Sequence, residues 1–173
     1  MTDFSAPGVR GLGVPALDWG EVFHVGIRVA DLAAAQHELT ESIGVRWTTP
    51  AKIPMKAWAP EGGFQSYDLT ISFTTEGPVH IELLYGSPGG YHDVSNGGAG
   101  LHHIGVWVDD VAKVNQELVA QGYTVELAGD TPEKGYGSFT YVRSPAGVLF
   151  EPESGLHGSK ERFERWYAGD NLF

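Results

Sequence analysis

The feature that most constrains this chain is an internal repeat at an offset of 79 residues. Residues 24–39, HVGIRVADLAAAQHEL, align with residues 103–118, HIGVWVDDVAKVNQEL, and seven of these sixteen positions are identical. The shared residues are His24/His103, Gly26/Gly105, Val29/Val108, Asp31/Asp110, Ala33/Ala112, Glu38/Glu117 and Leu39/Leu118. A repeat of this kind is one supersecondary unit used twice, each copy burying apolar surface against the other. At 173 residues and 42% hydrophobic content, the chain has enough material for such a shared core.

Within each copy the apolar period changes from 2 to about 3.6, so each opens as a strand and continues as a helix. In the first copy Phe23, Val25, Ile27 and Val29 share one strand face, and Leu32, Ala35, Leu39 and Ile43 follow at helical spacing. Asp31 and Asp110 stand where helix N-caps belong, and Gly44 and Gly122 where the helices should end. Three strand-like stretches then follow in each copy, at roughly 45–58, 65–75 and 79–85, and again at about 123–128, 137–143 and 147–152. The turn signals between them are Glu61-Gly62-Gly63, Glu76-Gly77-Pro78, Asp130 to Gly135 and Ser144 to Gly147.

The expected fold is therefore α+β, with two tandem βαβββ modules forming a curved, cleft-bearing mixed β-sheet and helices packed outside. The modules occupy residues 21–90 and 101–153 of one domain, after a Gly/Pro-rich lead-in over 1–20. The tail, 154–173, contains SKERFERWYAG, which can form a short amphipathic helix and carries no recognisable chemistry.

Period-2 alternation decides which polar side chains can meet. His24, Gly26 and Arg28 share the strand face away from the helix, and His103, Gly105 and Trp107 do the same in the repeat. The closing strands PVHIE (78–82) and GVLFE (147–151) both end on a glutamate, and His80 shares a face with Glu82. If the two sheets curve toward each other, His24, Glu82, His103 and Glu151 converge as two nitrogen and two oxygen donors. Such a set suits one divalent ion such as Zn, Ni, Co, Mn or Fe(II). Cysteine is absent, which excludes thiolate ligands. A carboxylate in the otherwise apolar strand VHIELLY would be costly to bury without a partner.

The strings FHVGIRVADL, VHIELLYG, LHHIGVWVDD and SPAGVLFEPE resemble the four ligand-bearing segments of the vicinal oxygen chelate (glyoxalase/bleomycin resistance/dioxygenase) superfamily, in its glyoxalase I and methylmalonyl-CoA epimerase branch. The resemblance covers about residues 21–153. It implies a metal-dependent lyase, isomerase or epimerase that moves a proton next to a carbonyl, with Glu151 the first choice for base and Glu82 the second. It also implies a small-molecule substrate, an acyl-CoA or thiol adduct among the classes, and a homodimer. The alternatives within the superfamily are an extradiol-type dioxygenase and a non-catalytic small-molecule binding protein.

Around the four donors, Arg28 is the candidate for gripping an anionic group, with a plain intramolecular salt bridge as the alternative. His80, Trp107 and Tyr141 are further candidates for substrate contact. Gly86 stands where glyoxalase I carries an Asn, which argues against glutathione. His102 is assigned to the opposite face from His103, and His92 to a solvated loop.

With 22 acidic and 11 basic residues the formal charge is −11, which disfavours nucleic acid and anionic membranes as partners. No apolar run approaches the roughly 18 residues of a membrane helix. A cytoplasmic location is expected.

Overall fold

In the computed structural model, which describes residues 15–156 and 158–173, eight strands form a closed ring in the order β1-β4-β3-β2-β6-β7-β8-β5. The first module comprises β1 (Val22–Arg28), α1 (Leu32–Ile43), β2 (Ala51–Ala59), β3 (Gly63–Phe73) and β4 (His80–Gly86). The second comprises β5 (Gly100–Val108), α2 (Val111–Ala120), β6 (Thr124–Ala128), β7 (Thr140–Arg143) and β8 (Leu149–Ser154). A final helix, α3 (Ser159–Tyr167), follows. The order is βαβββ twice, the α+β fold class expected from the repeat. Most of the N-terminal lead-in lies outside the described residues.

The local signals act as their chemistry requires. The Asp31 carboxylate accepts the backbone N–H of Ala34, and Asp110 accepts that of Lys113, so each helix begins on a side-chain cap. Gly44 ends α1 in the left-handed region at φ 75°, where a Cβ would be strained. The extra length of the first module between its His and Glu goes into the β2–β3 hairpin, paired without a break from Ala51↔Ile71 to Ala59↔Gly63.

The ring is mixed. β1 runs parallel to β4 and β5 parallel to β8, while β1 and β5 pair antiparallel and join the modules. On the far side β2 meets β6 through a single bridge, Trp58↔Ala128. Helices α1 and α2 lie outside, α2 burying Val111, Asn115 and Leu118 against its module. Helix α3 differs: its Phe163 and Trp166 join Leu69, Ile71, Phe73 and Leu84 in one core cluster on the inner side of the ring. No described helix is long and apolar enough to cross a membrane.

Two irregularities interrupt the β1–β5 seam. On β1 the pairing passes from Val22↔Val106 to His24↔Gly105, leaving Phe23 as an extra residue. On β5 it passes from Gly26↔His103 to Ile27↔Leu101, leaving His102 as the extra residue. A bulge of one residue breaks the alternation of faces. Phe23 accordingly turns away from its expected partners Val25 and Ile27 and stacks on Trp107, with ring centroids 3.7 Å apart.

Candidate metal centre

The register places the four donors in two lateral rows. One row runs Glu82 on β4, Gly26 on β1 and His103 on β5; the other runs His24 on β1, Gly105 on β5 and Glu151 on β8. Each row has a glycine between its acid and its imidazole. The missing side chain leaves room for the two to lean toward each other over the middle strand. A Cβ built on Gly26 would stand 2.2 Å from Cε1 of His103, and one on Gly105 2.0 Å from Cε1 of His24.

Among the described residues, His24, Glu82, His103 and Glu151 gather their donor atoms within 4.8 Å of one another. Nε2 of His24 is 2.7 Å from Nε2 of His103, 3.3 Å from Oε2 of Glu82 and 3.1 Å from Oε2 of Glu151. Nε2 of His103 lies 3.2 Å from Glu82 and 2.9 Å from Glu151. All four residues are buried. Donors bonded at about 2.1 Å to one ion stand about 3.0 Å apart along an octahedron edge, so these spacings fit a single divalent cation. Among the described residues the buried Oε2 of Glu82 has no hydrogen-bond partner, as suits an oxygen placed to bind a cation.

The two carboxylates make this spot favourable for positive charge. Burial pulls the pKa of His103 down, but Glu151 and Glu82 together outweigh it and raise it to about 10. Burial pushes the Glu151 carboxyl up, and the two imidazoles bring it well below the usual range, so it is ionised at neutral pH. Burial, then the charges of Glu151 and Glu82, push Glu153 well above the carboxylate range, so it keeps its proton. Glu153 is two residues along β8 from Glu151 and lines the same cavity, a placement that period-2 reasoning could have found.

Around the centre lies an aromatic and imidazole layer that the sequence did not reveal. His92, expected in a solvated loop, is fully buried, with Nδ1 3.2 Å from the Tyr67 hydroxyl and Nε2 3.1 Å from that of Tyr141. Burial, then the nearby His103, lowers its pKa to about 3. The bulge turns His102 toward its neighbour, and the Nδ1 atoms of His102 and His103 stand 2.9 Å apart. Burial, then the charge of His103, lowers the pKa of His102 to about 2, so its ring stays neutral and can accept the Nδ1–H of His103. Such a bond orients a ligating imidazole.

The remaining sequence candidates divide. Tyr141 is buried and lines a cavity of about 110 Å³ together with Glu82 and Glu151. Among the described residues Arg28 forms no salt bridge; it donates from Nη1 to the carbonyl of Asn96 at 2.7 Å and holds the Gly-rich loop that follows β4. His80 stacks on Tyr167 of α3, with centroids 3.8 Å apart, and bonds the Thr74 carbonyl through Nδ1. Trp107 packs between Phe23 and Phe163 and borders a separate groove with His80. Both His80 and Trp107 face inward as alternation requires, and in both cases α3, a tail segment given no role from sequence, occupies that face.

Comparison with known proteins gives the same frame. The chain is 28% identical over 138 residues to a protein of Arabidopsis thaliana named probable lactoylglutathione lyase, chloroplastic, a match covering 78% of this chain and 35% of that one. The chain thus spans about a third of the plant protein's length. It is also 28% identical to the ethylmalonyl-CoA/methylmalonyl-CoA epimerase of Cereibacter sphaeroides, covering 78% of this chain and 97% of the relative. Among solved structures, a hypothetical protein from Bacillus halodurans superposes with a TM-score of 0.55 at 21% identity, over 77% of this chain and 92% of the other, a likeness of fold. The signature of the Glyoxalase/Bleomycin resistance protein/Dioxygenase superfamily matches residues 23–141, and the chain belongs to that superfamily.

Proposed function

We propose that this protein is a metal-dependent lyase, isomerase or epimerase that transfers a proton at the carbon next to a carbonyl. The observation that carries the proposal is the convergence of His24, Glu82, His103 and Glu151, drawn equally from the two modules and buried together. The similarity to a lyase and an epimerase points to the same reaction class.

A divalent ion held by these four residues would supply Lewis acidity to the oxyanion that develops as the proton leaves. Glu151, ionised and bordering the cavity, is the first choice for the group that takes the proton, with Glu82 the second. The Tyr141 hydroxyl keeps its proton, because burial and then the charges of Glu151 and Glu82 raise its pKa well above the usual value. It can therefore donate a hydrogen bond toward a substrate oxygen. The apolar lining from Ile53, Met55 and Phe139 excludes water from the reacting carbon.

An acyl-CoA or a thiol adduct is the proposed substrate class, and a cytoplasmic homodimer the proposed setting. The test begins with metal analysis of the purified protein, followed by deuterium exchange at the carbon beside the carbonyl across a panel of acyl-CoAs and thiohemiacetals. Exchange that rises with metal content and falls about 100-fold or more in Glu151→Gln is expected. A metal-loaded sample that exchanges none of the panel would refute the proposal.

A further inference from the structure

We infer that α3 limits what can reach the metal centre to a short aliphatic fragment. This deepens the proposed function and rests on the four-residue centre described above. Phe163 is the residue that sets the limit.

The helix is built into the inner side of the ring rather than laid over it. Trp166 is fully buried and its Nε1–H donates to the Thr49 carbonyl at 3.1 Å. At the other end Lys160 pairs with Glu21 at 2.6 Å, tying the helix to the approach of β1. Between these anchors Phe163 is wedged between two walls. It meets Phe73 of β3 with ring centroids 5.5 Å apart and Trp107 of β5 at 5.6 Å, both edge to face. Phe73 in turn meets His24, one of the four donors, at 5.3 Å.

The space left beside Glu82 and Glu151 is about 110 Å³, with Phe163 on its wall. Small-molecule sites usually enclose about 300–1,000 Å³, and an apolar cavity of about 150 Å³ accepts a benzene ring. A short aliphatic arm suits this space better than a phenyl ring. A larger carrier group would remain outside the ring, with only the reacting end inside.

The inference is tested on cobalt(II)-loaded protein by titrating acetohydroxamic and benzohydroxamic acids and following the visible absorption of the cobalt. Both probes present the same pair of vicinal oxygens and differ in the arm. The wild-type protein should bind the methyl compound about tenfold or more tightly over the phenyl compound. In Phe163→Ala that ratio should fall to about twofold or invert, and Phe163→Leu, which keeps most of the packing, should lie between. Equal binding of the two probes by the wild type, or a ratio unchanged in both variants, would overturn the inference while leaving the metal centre standing. Cobalt that fails to bind, or that binds equally to a His24→Ala/His103→Ala variant, would overturn the centre itself and this inference with it.

Discussion

Gly26 and His103 face each other across the β1–β5 seam, and the imidazole lies where a side chain on the glycine would be. Gly105 and His24 repeat the relationship. Neither glycine adopts a left-handed backbone, so the requirement at both positions is for space and not for conformation. Gly26→Ala or Gly105→Ala should therefore displace one histidine and lower metal affinity by about 100-fold or more, judging by the effect of disturbing groups that merely support a ligand. Isothermal titration with zinc or nickel measures this. An alanine variant with native affinity would show that the ring does not need to lie flat over the strand.

Metal should stabilise the fold, because the four donors are assembled in the native chain and scattered in the unfolded one. At a free metal concentration about 100 times Kd, the gain is about 2.7 kcal/mol. For a chain of this length that raises Tm by roughly 5–10 °C. Thermal melts with metal and with excess chelator give the difference, and Glu82→Gln should abolish most of it.

His92 predicts a specific acid sensitivity. Its pKa is lowered from 6.5 to about 3 in the folded protein, with burial the main cause. Below pH 6.5 the unfolded chain takes up a proton that the folded chain refuses, so stability falls as pH drops toward 3. The slope is about 1.4 kcal/mol per pH unit, or about 2 kcal/mol lost by pH 5. Urea unfolding at pH 7 and pH 5 should show that His92→Gln has the smaller difference between the two, by about that amount.

Trp166 anchors α3, and its removal tests how firmly the helix belongs to the core. Trp166→Ala deletes a fully buried indole and leaves the Thr49 carbonyl without its donor. A loss of roughly 3–5 kcal/mol is expected from denaturant unfolding. A loss below about 1 kcal/mol would mean that the ring holds together without its tail.

The repeat made the architecture readable, because one βαβββ unit written twice constrains topology far more than any single strand pattern. The meeting of His24, Glu82, His103 and Glu151 was readable for the same reason, since the two histidines stand at equivalent positions of the repeat. What escaped was set by contacts distant in sequence or by broken alternation. His92 is buried by Tyr67 and Tyr141 from two other strands, neither near it in the chain. Phe23 and His102 are bulged residues, so counting by twos misplaced both. His80 and Trp107 were placed on the correct face, but that face is occupied by the tail.

The ring of strands is sewn unevenly. Among the described residues, six paired positions hold β1 to β5, while the opposite edge is closed by the single bridge Trp58↔Ala128. Such a cylinder is built like a book, with the seam carrying both histidines as its spine and the Trp58–Ala128 bridge as its fore-edge. Thermal opening should therefore start at the Trp58–Ala128 edge and reach the histidine-bearing seam last.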